Sequence, residues 1–106
     1  MFVIGTFTAV KDGYAGTIRT LTLNSKVQIL PNAHEGGEGT PQFRILVGTT
    51  EIGAIWRKTK SGSDETYLRV KIDDPTLPQP LWGVLLKPDE DGVARLLWRR
   101  TRNDGG

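Results

Sequence analysis

Between Thr66 and Ile72 every second residue is apolar. Leu68, Val70 and Ile72 fall on one side, and Tyr67, Arg69 and Lys71 on the other. A period of two is the mark of a half-buried strand, so the first three are predicted to face a core and the second three to face water. Gln42 to Val47 repeats the pattern, with Phe43, Ile45 and Val47 opposed to Arg44. Further strands are predicted at Phe2–Val10, Tyr14–Leu23, Lys26–Leu30, Ile52–Lys60, Leu81–Lys87 and Val93–Arg100. The second of these places Arg19, Leu21 and Leu23 on one face. The run from Leu81 to Lys87 is apolar on both faces, which predicts a central strand.

The breaks between these runs are turn-like. Lys11-Asp12-Gly13 reads as a hairpin in which Gly accepts a positive φ. The segment from Pro31 to Pro41, with Gly36, Gly37 and Gly39, reads as a mobile loop. Ser61 to Glu65 and Pro88 to Gly92 read as turns. Pro75, Pro78 and Pro80 forbid a helix or a central strand between Asp73 and Pro80. No window holds a helical apolar stripe. The expectation is an all-β fold: one small domain over residues 1–100, with 101–106 as a flexible tail. About seven or eight antiparallel strands would close into a barrel or pack as a sandwich to protect their edges.

Composition agrees with this pattern and narrows the chemistry. Twelve Thr, seven Val and seven Ile stand against five Ala and five Glu, and 13 Gly and 6 Pro punctuate the 106 residues. The sequence contains no Cys and a single His, His34, so thiolate zinc sites, disulfides and histidine pairs are excluded. No apolar stretch approaches the ~20 residues of a membrane helix. Met1-Phe2-Val3-Ile4-Gly5 lacks the basic flank and apolar run of a secretory signal. A soluble, cytoplasmic protein without membrane contact is expected.

The net charge of +2 conceals a segmental pattern. Residues 44–72 sum to +3 and residues 73–91 to −4, so the cations gather on particular strands. Arg57, Lys58 and Lys60 end one predicted strand, and Tyr67, Arg69 and Lys71 occupy the outer face of the next. Arg95, Arg99 and Arg100 close the chain. A hairpin of residues 52–60 and 66–72 would bring the first six to one face or one end of a sheet. Aromatic rings among cations are what a single nucleic-acid strand needs, since bases stack while phosphates are neutralised. A solvated sheet face uses the same residue types for solubility and edge protection. Trp56 and Trp98 lie beside basic residues and would add stacking surface, although three indoles in so small a domain are most simply core or semi-core anchors.

Other groupings are structural in character. Asp73 and Asp74 are adjacent, so on a strand they would point apart; ahead of Pro75 they are expected to accept backbone hydrogen bonds. Asp89-Glu90-Asp91-Gly92 lacks the remaining ligands of a calcium loop and reads as a charged hairpin turn. Gly36-Gly37-Glu38-Gly39 has no following Lys-Ser/Thr and opens no helix. No nucleophile stands beside a base. The residues therefore predict neither an enzyme nor a bound metal or cofactor.

Several segments resemble one family. Ile4-Gly5-Thr6-Phe7-Thr8, Gly16 to Asn24, Glu51 to Thr59 and Tyr67 to Pro75 occur in the order seen in the proteobacterial family of domains of unknown function numbered seven hundred and thirty-six. The resemblance covers roughly residues 2 to 100, apart from the loop at 31–41. It implies a protein carried on plasmids and other mobile elements, near transfer and replication genes, and supplies no catalytic residue. In many members a Lys stands at the position of Arg57, which suits a simple cation better than a bidentate contact. The functional expectation is a non-enzymatic accessory protein that binds single-stranded DNA or RNA weakly through Arg57, Lys58, Lys60, Tyr67, Arg69 and Lys71. The alternative is a module that binds a protein partner, as a regulator or inhibitor, through an exposed strand edge or a tryptophan patch.

Overall fold

The computed structural model describes residues 2–32 and 39–98. Eight strands follow in chain order: β1 (Phe2–Val10), β2 (Gly13–Arg19), β3 (Asn24–Pro31), β4 (Phe43–Val47), β5 (Thr50–Thr59), β6 (Thr66–Ile72), β7 (Leu81–Leu85) and β8 (Val93–Trp98). There is no helix among the described residues. Each strand pairs antiparallel with its sequence neighbours, and β8 returns to β1, so the sheet closes into a barrel. Of the two expected architectures the barrel is the one formed. Closure gives every strand two partners, so β7 is no more central than the rest.

The alternation fills the closed interior. One residue in two points inward, and the buried set is Phe7, Ile18, Val27, Ile29, Ile45, Ile55, Val70, Ile72, Leu85, Ala94 and Leu96. Eight strands enclose an interior just wide enough for side chains to fill. Val70 and Ile72 are buried as the period predicts, with Leu68 half-buried nearer the rim. Tyr67, Arg69 and Lys71 point outward but are half-buried rather than open to water, because other side chains on the outer face cover them.

Curvature is concentrated at two irregularities. The β1–β8 register skips Ile4, between Val3 and Gly5, and the β4–β5 register skips Ile52, between Glu51 and Gly53. Bulges of this kind bend a strand and raise its twist. At Gly53 the neighbouring strand comes so close that a Cβ would lie 2.2 Å from the carbonyl oxygen of Lys71. Gly13 serves a similar purpose. Its φ is not positive, contrary to the expectation for a hairpin glycine; instead a Cβ there would lie 1.9 Å from the Ile29 carbonyl oxygen. The sequence motif marked a turn correctly and for the wrong reason.

One further expectation is corrected. β2 ends at Arg19, and Leu21 is fully exposed in the following turn, where the Thr20 hydroxyl accepts hydrogen bonds from the Thr22 and Leu23 amides. A local side-chain turn has displaced the strand pattern there. The three tryptophans take the semi-core place of the two expected for them: all are half-buried, and the buried core is aliphatic apart from Phe7. An indole is too large for the interior of so narrow a barrel. His34, most of the loop at 31–41, Arg99, Arg100 and the tail at 101–106 lie outside the described residues.

Candidate nucleic-acid interface

The outer faces of β5, β6 and β7 hold the feature that the sequence only partly disclosed. Trp56 on β5 is opposite Arg69 on β6, and Arg69 is opposite Val84 on β7. One step along, Ala54, Lys71 and Trp82 form a second row, and Lys58 opposite Tyr67 begins a third. Trp56 and Trp82 lean across β6 and stack, with ring centroids 6.3 Å apart and planes inclined by 30°. The Arg69 guanidinium lies 4.5 Å from the Trp82 ring centre and the Lys71 ammonium 5.4 Å from it. Both are within the range in which a ring quadrupole attracts a cation. This layer explains why Arg69 and Lys71 are only half-exposed.

The layer is anchored to the barrel end. Trp56 Nε1 donates a hydrogen bond of 3.0 Å to the carbonyl of Gly39, in the connection between β3 and β4. Asn32 donates through Nδ2 to the Pro41 carbonyl at 3.0 Å, holding the same connection against the end of β3. The indole ring is thereby fixed in orientation as well as position.

The electrostatics of this face are one-sided. Three ion pairs occur among the described residues: Arg44–Glu51 at 3.3 Å, Lys60–Glu65 at 3.4 Å, and Arg95 with Asp89. None involves Lys58, Arg69 or Lys71. Among the described residues these three cations have no carboxylate partner, which leaves their charge facing outward.

The six residues expected to act together divide into two groups. Lys58, Tyr67, Arg69 and Lys71 share the outer face with Trp56 and Trp82. Arg57 does not, because it alternates with Lys58 and sits opposite Leu68, on the inward side. It lines an open groove of about 820 Å³ at the mouth framed by the β5–β6 and β7–β8 hairpins, with Tyr67, Lys87 and Lys60. Lys60 lies just beyond β5, where Glu65 pairs with it. Trp82 is the residue that sequence reasoning missed. The signal was the apolar outer face of Leu81–Lys87, read as a mark of centrality. Trp98 does not join the layer; its ring lies 6.4 Å from that of Phe2.

The acidic turns have local roles. The Asp89 carboxylate accepts the amides of Asp91 and Val93 at 2.9 and 3.1 Å and also receives Arg95. The Arg95 contact first, and these amides after it, hold its pKa below the ordinary value. Asp74 accepts the hydroxyl and, at 2.9 Å, the amide of Thr76, and these bonds lower its pKa too. Both carboxylates act as turn acceptors, as expected for Asp ahead of such bends.

No curated protein and no solved structure matches the chain. The model of one family does, over residues 3–101, a span that takes in β1 from Val3 and the whole of β2 to β8. The chain belongs to that family, the proteins of unknown function designated DUF736.

Proposed function

We propose that the protein is a non-enzymatic binder of single-stranded DNA or RNA, acting through the outer face of β5, β6 and β7. The observation that carries this reading is the stacked Trp56–Trp82 pair set among three cations that have no carboxylate partner among the described residues. Bases stack on indole, phenol or guanidinium planes without regard to sequence, and lysines follow the phosphates. Adjacent strands are about 4.8 Å apart, so a platform three strands wide accommodates roughly two or three bases. Arg57 and Lys87 at the neighbouring groove would extend the path of the backbone. The family resemblance adds the context of a bacterial mobile element, in which single strands are intermediates of transfer.

With three cations engaged, the salt dependence should have a log–log slope of about −2, at ~0.7 per contacted phosphate. Fluorescence anisotropy with labelled oligonucleotides at about 50 mM salt measures it. Arg69→Ala with Lys71→Ala should flatten the slope to about −0.7. Trp82→Ala or Tyr67→Ala should weaken binding about 5- to 150-fold with little change in slope, because stacking is worth ~1–3 kcal/mol per base. Absence of binding at tens of micromolar protein would end this reading.

A protein partner is the second reading, and one observation favours it. The Trp56–Arg69–Val84 row continues through Leu97 to Val3, which is 51% exposed, and Trp and Arg are enriched in binding hot spots. Pairing through a free strand edge has no support, since the closed sheet presents none among the described residues.

A further inference from the structure

At the mouth opposite the hairpin groove, the packed interior stops short of the rim and leaves an open pocket. A cavity of about 300 Å³ lies above Ile18, Val27 and Ile72, each at most 3% exposed, and is walled by Val47 and Ile52. Leu77 covers it from the connection between β6 and β7. That cover is held in place: the Leu77 amide donates to the Asp74 carbonyl at 2.8 Å, and Pro75, Pro78 and Pro80 fix the path on either side.

The lining is apolar except for Asp74, Thr76, Thr50 and Ser25. No cation is among these lining residues. Asp74 is specifically placed. Its Oδ2 receives both bonds from Thr76, while Oδ1 has no partner among the described residues. An apolar pocket in a barrel mouth with few convergent polar groups is the usual form of a small-molecule site.

We propose that this cavity binds a compact apolar molecule of about two rings that carries one amine or hydroxyl donor directed to Asp74. Size sets the first part. A dry cavity of ~150 Å³ takes one benzene ring, so twice that volume takes about two fused rings. The rim sets the second, because a carboxylate acceptor with no cation among the lining residues favours an ammonium or a neutral donor and repels an anion. Asp74 stays ionised near neutrality, since Thr76 stabilises its charged form. The site lies on the inward side of the wall whose outer face carries the stacked tryptophans, and it does not depend on nucleic-acid binding.

The probes are 1-naphthylmethylamine, 1-naphthalenemethanol and 1-naphthoate, titrated into the full chain and followed by amide chemical shifts. The amine should bind with a dissociation constant on the order of 100 µM. The alcohol should bind several-fold more weakly and the naphthoate at least tenfold more weakly, with shifts centred on Ile18, Val27, Ile72 and Leu77. Ile52→Phe fills the cavity from its half-buried wall and should weaken the amine at least tenfold. Asp74→Asn keeps an acceptor for Thr76 and should bring the amine and alcohol to equal affinity, a test that stands even if the Phe variant fails to fold. Lys11→Ala, in the β1–β2 turn at the opposite end of the barrel, should leave all three affinities unchanged. The proposal is overturned if 1 mM amine moves none of these amides, if naphthoate binds as well as the amine, or if Asp74→Asn leaves their ratio as it was.

Discussion

Replacing Gly53 by Ala tests whether this barrel depends on close approach at its bulges. A Cβ at Gly53 would stand 2.2 Å from the Lys71 oxygen and 3.2 Å from Ile72 Cα, where ordinary contact begins near 3.4 Å. Both neighbours are backbone, so no side-chain rotation relieves the clash. β5 and β6 must part by roughly 1 Å, enough to weaken the hydrogen bonds flanking Gly53 and Ile72. Two such bonds at ~0.5–1.5 kcal/mol each, with overpacking strain of ~1–3 kcal/mol, give a cost of about 3 kcal/mol. For a domain of this size that lowers Tm by about 12–24 °C. The urea midpoint should fall by about 2 M. Denaturation followed by tryptophan emission reads the effect, and Trp56, three residues along the same strand, reports on the strained segment. Gly92→Ala is the control, because Gly92 has a φ of 78° with open space around it and should lose only ~1–2 kcal/mol of backbone preference. A Gly53→Ala protein with wild-type Tm would refute the reasoning.

Further outcomes are expected on the same footing. Val70→Ala should cost about 1–3 kcal/mol in urea unfolding, whereas Lys71→Ala should lose ~1 kcal/mol or less, its contact with Trp82 being at the surface. Asp89 has a folded pKa below its ordinary value of 3.8. Its contribution is therefore fully present above that value and is lost as pH falls through the lower, folded one. Asp89→Asn should flatten the acid side of the stability–pH curve, with thermal melts at stepped pH as the measurement. Leu21→Ser should leave Tm unchanged, since that side chain is fully exposed, and a large drop would contradict the position of the β2–β3 turn.

The strands were legible because period-two alternation is imposed by the pleat, and the core faces of β4 and β6 followed from it directly. Closure was not legible, because alternation says which face is buried and nothing of which strands pair. The candidate site was half-legible. Lys58, Tyr67, Arg69 and Lys71 could be placed on one face by parity, and the same parity, applied to Arg57, would have removed it. Trp82 escaped because its partner in stacking is two strands away, a distance that no local pattern encodes. That the indoles are semi-core rather than core has a reason of volume: β-branched side chains fill this interior, and the rings are left to clothe the wall.

The seam between β1 and β8 sets this barrel apart from its own hairpins. Every other ladder joins strands that are adjacent in the chain, whereas here Phe2 pairs with Trp98. Loop-closure entropy rises with the logarithm of loop length, so bringing the seam together costs roughly 2–3 kcal/mol more than closing a hairpin. The meander can assemble from local contacts, but the barrel exists only after this last, non-local step, which is therefore the natural bottleneck of folding. Until it is taken, β1 and β8 are two open edges bearing Val3 and Leu97, and the unclosed sheet is the species in which one chain would pair with another. Cutting the chain within Ser61–Glu65 and joining the seam strands by a short turn would make the slow ladder a local one.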